Sequence, residues 1–120
     1  MNKAHQRGKA AEERALNFLK KCGLKPLEKN YRTRGGEIDL IMLDDETIVF
    51  IEVRARSNDS YMKPLESIDK RKLENIIYAS NHYLQKNRAG NDSSCRFDVV
   101  VLTGASGQPK IEWIKNAFEA

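Results

Sequence analysis

The chain has 120 residues, 40% of them hydrophobic and 32% charged, with 21 Lys and Arg against 17 Asp and Glu and a net charge of +4. That length supports one hydrophobic core rather than two, so a single domain over residues 1–120 is expected. No apolar run nears the ~18 residues of a membrane span. The basic N-terminus runs into Glu12, Glu13 and Arg14 without the apolar segment of a signal peptide, so the expected location is the cytoplasm, away from any membrane.

Lys3 to Lys21 is rich in Ala, Glu, Lys and Leu, which favours helix. At 100° per residue Ala4, Gly8, Ala11, Ala15, Phe18, Leu19 and Cys22 form an apolar arc, with Leu16 at its edge. Glu12 falls inside that arc and Glu13 on the wet side. A carboxylate on a buried stripe needs a partner. For Glu12 the options are a backbone amide, Arg32 or Arg54, or a cation shared with other carboxylates. Gly23 is a suitable C-cap, and Pro26 prevents the helix from continuing. Leu27 to Arg34 then reads as a first strand, ending at Gly35-Gly36, where the backbone is free to turn tightly or to approach another group closely.

Gly36 to Arg56 reads as a β-hairpin with two apolar arms joined by an acidic turn. Strand period two puts Glu37, Asp39, Ile41 and Leu43 on one face of the first arm, and Ile48, Phe50, Glu52 and Arg54 on one face of the second. With Asp44 and Asp45 as the turn, Glu37 faces Glu52, and Asp39 faces Phe50, diagonal to Glu52. Any odd-sum register gathers Asp39 and Glu52 on a single face. Opposed like charges weaken a hairpin, and half-buried carboxylates lose hydration. A divalent cation would relieve both, since diagonal neighbours lie roughly 7–8 Å apart and their tips can share a hard ion with oxygens at about 2.1 Å. Arg54 leaves the same face and could meet an anion there. In outline this set cleaves phosphodiesters; the competing reading is a solvated strand end in which Arg54 pairs with Glu52 or Glu37.

Arg56 to Pro64 is polar, aperiodic and loop-like, with Tyr61 either a stacking platform for a base or amphipathic surface. A second helix is expected from Ser67 or Asp69 to Gln85, with Leu73, Ile76, Ile77, Ser80, Tyr83 and Leu84 inward. Lys70, Arg71 and Lys72 in its first turn carry the wrong sign for the helix dipole. Either an external phosphate relieves that conflict, or Asp69 caps the end and the lysines reach into water. Asn87 to Ser94 is a loop, Cys95 to Thr103 an apolar central strand, and Lys110 to Ile114 a short last strand edged by Trp113. Asn116 to Ala120 is expected to close with a helical turn. Cys22 and Cys95 are expected to be buried thiols, and His5 and His82 are isolated and not ligands.

Gly35-Gly36-Glu37-Ile38-Asp39-Leu40-Ile41 followed by Val49-Phe50-Ile51-Glu52-Val53-Arg54 resembles the PD-(D/E)xK nuclease signature as found in the bacterial YraN-like proteins. Gly8, Glu12, Asn30-Tyr31-Arg32, Cys95 to Val100 and Ile111 to Phe118 also resemble blocks of that family, so the likeness spans nearly the whole chain. It implies an α/β fold with a restriction-endonuclease-like α-β-β-β-α-β core, a mixed central sheet and flanking helices, akin to archaeal Holliday junction resolvases. It further implies catalytic roles for Asp39, Glu52 and Arg54, and a Mg²⁺ or Mn²⁺ held by Glu12, Asp39 and Glu52 with the carbonyl of Val53. No Pro precedes Asp39, and Arg54 stands where the signature has Lys; Arg stays protonated and is no general base. Expected nucleic-acid contacts are Arg7, Arg32, Arg34, Arg56, Lys70, Arg71 and Lys72. DNA is the first partner considered and RNA the second, with a homodimer left open. Three functions compete: a metal-dependent endonuclease, with branched DNA among its candidate substrates, a non-catalytic nucleic-acid-binding module with a weakened site, and an interaction protein whose acidic hairpin is structural.

Overall fold

The computed structural model describes residues 3–56, 68–87, 94–104 and 108–119, with side chains from Gly8 onward. Its elements are helix α1 (Lys3–Lys21), strands β1 (Lys25–Arg32), β2 (Glu37–Asp44) and β3 (Thr47–Arg56), helix α2 (Lys70–Asn87), and strands β4 (Cys95–Thr103) and β5 (Lys110–Phe118). The five strands form one sheet in the order β1-β2-β3-β4-β5. Every neighbouring pair is antiparallel except β3 and β4, which run parallel. A parallel pair needs a crossover connection, and α2 lies within it. This is the expected α/β architecture: a mixed sheet with α-β-β-β-α-β order and one further strand. No helix among the described residues is long and apolar enough to cross a membrane.

The helices cover opposite faces. Ala11, Ala15, Leu16 and Leu19 of α1 pack on Leu40, Met42, Val49, Ile51, Val100 and Leu102. Ile76, Ala79 and Tyr83 of α2 pack on Ile38, Ile41, Ile48, Phe50 and Phe97. Covered on both sides, β3 and β4 are continuous apolar runs rather than alternating ones. Each fully buried Leu or Ile contributes about 1.5–3 kcal/mol. α1 ends as expected at Gly23, which takes φ 101°. Its N–H donates to Lys20 O, and Leu24 N–H donates to Leu19 O, closing a Schellman motif capped by buried Leu24.

Four local expectations are corrected. β1 starts at Lys25, with Pro26 inside it, because β1 is an edge strand that can lose one donor; Thr33 to Gly36 makes a turn instead, Thr33 N–H donating to Gly36 O. The hairpin turn falls on Asp45 and Glu46, since Asp44 pairs with Thr47; Asp45 takes the left-handed φ of 54°, which Asp tolerates better than most residues. β5 continues to Phe118 where a helical turn was expected. There Phe118 stacks on Phe97 at 4.9 Å, and buried Asp98 accepts Asn116 N–H at 2.9 Å. Cys22 and Cys95 are exposed rather than buried, one beyond the last turn of α1 and the other opening β4. Trp113 does anchor the last strand, edge-on to Phe18 and donating to Asp98. Tyr61 lies outside the described residues, as do the side chains of His5 and Arg7.

Candidate functional site at the splayed end of the hairpin

The β2–β3 ladder stops at Leu40 opposite Ile51. Beyond it, simple alternation fails: Ile38 packs on the α2 face, while Leu40, two residues later, packs on the α1 face. The same break occurs next door in β1. Tyr31 packs on the α2 side, and Lys29 reaches Glu13 of α1 at 2.8 Å; between them Asn30 takes the left-handed φ of 52°. Asp39 occupies the break. Its Oδ2 accepts the N–H of Val53 at 2.8 Å, a donor on the neighbouring strand beyond the end of the ladder. The ladder's register, Leu40 opposite Ile51, carried one step further sets Asp39 opposite Glu52 instead of the expected Glu37, and Phe50 opposite Ile41 instead of Asp39; the two carboxyls thus share a side as any odd-sum register requires, and Asp39 turns into the gap toward the Val53 N–H.

Glu52 lies on the α2 side of β3 and its side chain is only 4% exposed. Burial, the Asp39 charge and the Asp39 carboxyl within hydrogen-bonding reach raise its pKa from 4.5 to about 8, against the opposing pull of Lys72 and Arg54. Both cations address one oxygen: Arg54 Nε and Lys72 Nζ each lie 3.4 Å from Glu52 Oε2. The other oxygen, Oε1, is buried without a hydrogen-bond partner. Arg54 Nε, although near in distance, is likewise buried and unaligned for a hydrogen bond. At ~1–3 kcal/mol per unsatisfied group, more for a charged one, such atoms are rarely left bare.

Glu12 projects from α1 toward Asp39 from the other side. Its pKa is raised, chiefly by burial and then by Asp39, and Asn30 hydrogen-bonds its carboxylate. Asn30 is thus the partner that the sequence pattern suggested in Arg32 or Arg54. Its signal was available: Asn is among the few residues at home in a left-handed conformation inside a strand. The carboxylates run as a chain, Glu12 beside Asp39 and Asp39 beside Glu52. Among the described residues no three Asp, Glu, His or Cys side chains are grouped as a ready-made metal site. The donor chemistry nonetheless suits a hard divalent ion: oxygen ligands, a buried bare Oε1, and two carboxylates whose repulsion only a proton or a cation relieves. Val53 contributes its N–H to the site, through Asp39.

Two open clefts flank this point. One, about 530 Å³, is lined by Gly8, Lys9, Glu12, Asn30, Arg32, Glu37 and Asp39. The other, about 570 Å³, is bounded by the Thr33–Gly36 turn and α2, with Arg32, Arg34, Arg71 and Lys72 on its walls. Arg32 and Glu37 border both and pair with each other at 3.3 Å. α2 docks tightly against the turn: a Cβ on Gly36 would sit 2.1 Å from the carbonyl oxygen of Asn75, and one on Gly35 would meet the Tyr78 ring at 2.7 Å. The two glycines thus serve a close helix approach. Asp69 caps α2, accepting the Lys72 N–H at 2.8 Å, so the cap expected as one of two readings is formed.

The groove gathers four of the seven expected nucleic-acid residues: Arg32, Arg34, Arg71 and Lys72. Lys70 is instead 90% exposed and 4.0 Å from Glu74. Arg56 donates to Thr103 Oγ1 at 3.0 Å, beside the end of β4. Arg7 lies on α1 with its side chain outside the described ones. Lys9, in the basic N-terminal stretch, lines the first cleft and Asn75 the second; nothing in the immediate pattern of Asn75 distinguishes it from ordinary helix surface.

A mixed sheet between two helices, with the buried Glu52 where its central hairpin opens, gives the chain the restriction-endonuclease-like α/β arrangement with an α-β-β-β-α-β core. Residues 11–102 match the uncharacterised protein family UPF0102, and the chain belongs to that family, the YraN-like proteins. It is 48% identical to a UPF0102 protein of Pseudomonas entomophila (strain L48) and 46% identical to one of Pseudomonas putida (strain F1), over 93% of this chain and 92% of each relative. A UPF0102 protein of Stutzerimonas stutzeri (strain A1501) is 45% identical over the full length of both.

Proposed function

We propose that this chain is a divalent-ion-dependent phosphodiester hydrolase acting on DNA, with branched DNA among its candidate substrates. The observation that carries the reading is the buried Glu52, with a bare Oε1, the Asp39 carboxylate beside it and a basic groove alongside. Glu12, Asp39 and Glu52 would hold a Mg²⁺ or Mn²⁺, which supplies a more acidic water and neutralises charge on the phosphate. The protein's own part is positional and electrostatic. Val53 N–H fixes the Asp39 carboxylate. Asn30 fixes Glu12. Arg54, permanently charged, stabilises the charge that develops on the phosphate. Arg32, Arg34 and Arg71 hold the flanking backbone without reading its sequence.

One observation favours a non-catalytic binding module. Arg54 and Lys72 both sit on Glu52 Oε2, so the site is already partly neutralised by the protein itself. Asp39→Asn separates the readings. Asn is nearly isosteric but removes a ligand and a charge. The variant should bind DNA in EDTA as tightly as wild type or more tightly, and cleave at least ~10²-fold more slowly with Mg²⁺. The assay offers supercoiled plasmid, flaps and four-way junctions with Mg²⁺ or Mn²⁺. Equal cleavage by wild type and Asp39→Asn would place the activity elsewhere; binding by both with cleavage by neither would establish the binding module.

A further inference from the structure

Lys72 belongs to two places at once. Its ammonium is 3.4 Å from Glu52 Oε2 in the carboxylate site, and its side chain lines the basic groove with Arg34 and Arg71. It reaches both because its backbone N–H is held by the Asp69 cap and because α2 is pressed onto Gly36. Of its neighbours in the same turn, Lys70 is turned toward Glu74, while Arg71 lines the same groove.

An ammonium 3.4 Å from the buried Glu52 carboxyl takes the place of a counter-ion, whether that carboxyl is ionised or keeps its proton. A divalent ion taking Glu52 and Asp39 brings two positive charges to the oxygens that hold Lys72, which weakens that hold and repels the ammonium. The nearest alternative anion is a phosphodiester in the groove that Lys72 already borders. We propose that Lys72 couples the two binding events: without a divalent ion it is retained on Glu52, and when the ion binds it transfers to a phosphate of the nucleic acid. The inference rests on the metal and nucleic-acid reading above and adds a property to it, namely that the ion and the nucleic acid each strengthen binding of the other through one side chain.

The test measures the affinity of a fluorescent four-way junction by anisotropy, in EDTA and in saturating Ca²⁺ at constant ionic strength, for wild type, Lys72→Met and Lys70→Ala. Met keeps the apolar stem that packs in the groove, and a urea melt of each variant confirms folding. Neutralising Asp39 and Glu52 helps binding in all three proteins, so the quantity read is the ratio of the two affinities. Wild type and Lys70→Ala should tighten by the same factor, and Lys72→Met by at least about five-fold less. Lys72→Arg, which keeps the charge, should recover part of the difference. An equal ratio in wild type and Lys72→Met overturns the coupling while leaving the metal site and groove intact. A wild type that binds neither Ca²⁺ by calorimetry nor the junction overturns the underlying functional reading, and the coupling with it.

Discussion

Replacing Glu52 with Gln should make the protein more stable at alkaline pH and indifferent to the change at acid pH. The folded-state pKa of Glu52 is raised from 4.5 to about 8. The native state therefore holds a proton that the unfolded chain releases between those values, and stability falls as pH rises through that window. At 1.36 kcal/mol per pH unit, moving from 4.5 to about 8 amounts to about 5 kcal/mol as an upper bound, present in full above the folded pKa and absent below the unfolded one. Glutamine removes the titration. Below pH 4.5 it replaces a neutral acid with a neutral amide, so the two proteins should unfold at nearly the same urea concentration. By pH 9 the variant should be the more stable by up to about 5 kcal/mol, which is a large fraction of a typical domain's total stability of ~5–15 kcal/mol. The assay is urea unfolding at constant ionic strength in EDTA, at unit pH steps from 4 to 9, with the variant subtracting the contribution of Glu12 and every other titrating group. Parallel curves for wild type and Glu52→Gln, or a variant less stable than wild type at pH 9, would refute the claim that burial and Asp39 hold this carboxyl protonated.

Gly36→Ala should destabilise the fold by about 1–3 kcal/mol, because its Cβ would lie 2.1 Å from the Asn75 carbonyl oxygen and α2 would have to back away; a urea midpoint unchanged from wild type would show that the helix has room to spare. The double substitution of Arg34 and Arg71 by Ala should flatten the log–log salt dependence of duplex DNA affinity by about 0.9 for each phosphate that is no longer neutralised. Arg56→Ala, whose guanidinium is engaged with Thr103, should leave that slope as it was, and an equal flattening from Arg56→Ala would move the DNA path toward the end of β4.

The elements of this fold were legible because their burial is legible. β3 and β4 are apolar on both faces, and α1 carries its stripe at helical spacing, so Ala15 and Leu19 end up fully buried as the pattern requires. The pairing of Asp39 with Glu52 was anticipated, but for an incomplete reason. Period two is a rule for regular strands, and this pair forms where the strand stops being regular. The irregularity falls opposite the left-handed Asn30, on a different strand from either carboxylate, and no periodicity of the hairpin contains it. Lys72 was placed among phosphate contacts on charge alone. Its reach to Glu52 depends on how closely α2 can approach the Gly35-Gly36 turn, a distance between segments that a linear pattern does not encode. The extended β5 was missed because a buried Asp98 rewards a bulged strand at Asn116 over the helical turn that local propensity allowed.

The two edges of the sheet bear on how copies of this protein can meet. An exposed, straight edge strand invites another strand to add to it, and with it aggregation. β1 carries Pro26, a register shift between Pro26 and Glu28, the left-handed Asn30, and outward Lys25, Lys29 and Arg32. β5 carries a register shift opposite Phe97 to Val99, the left-handed Asn116, and Lys110 and Lys115. Neither offers the uninterrupted row of donors and acceptors that continuation of the sheet requires. Assembly by sheet extension is therefore disfavoured at both edges, which leaves the helical faces and the rim of the clefts as the surfaces for self-association among the described residues.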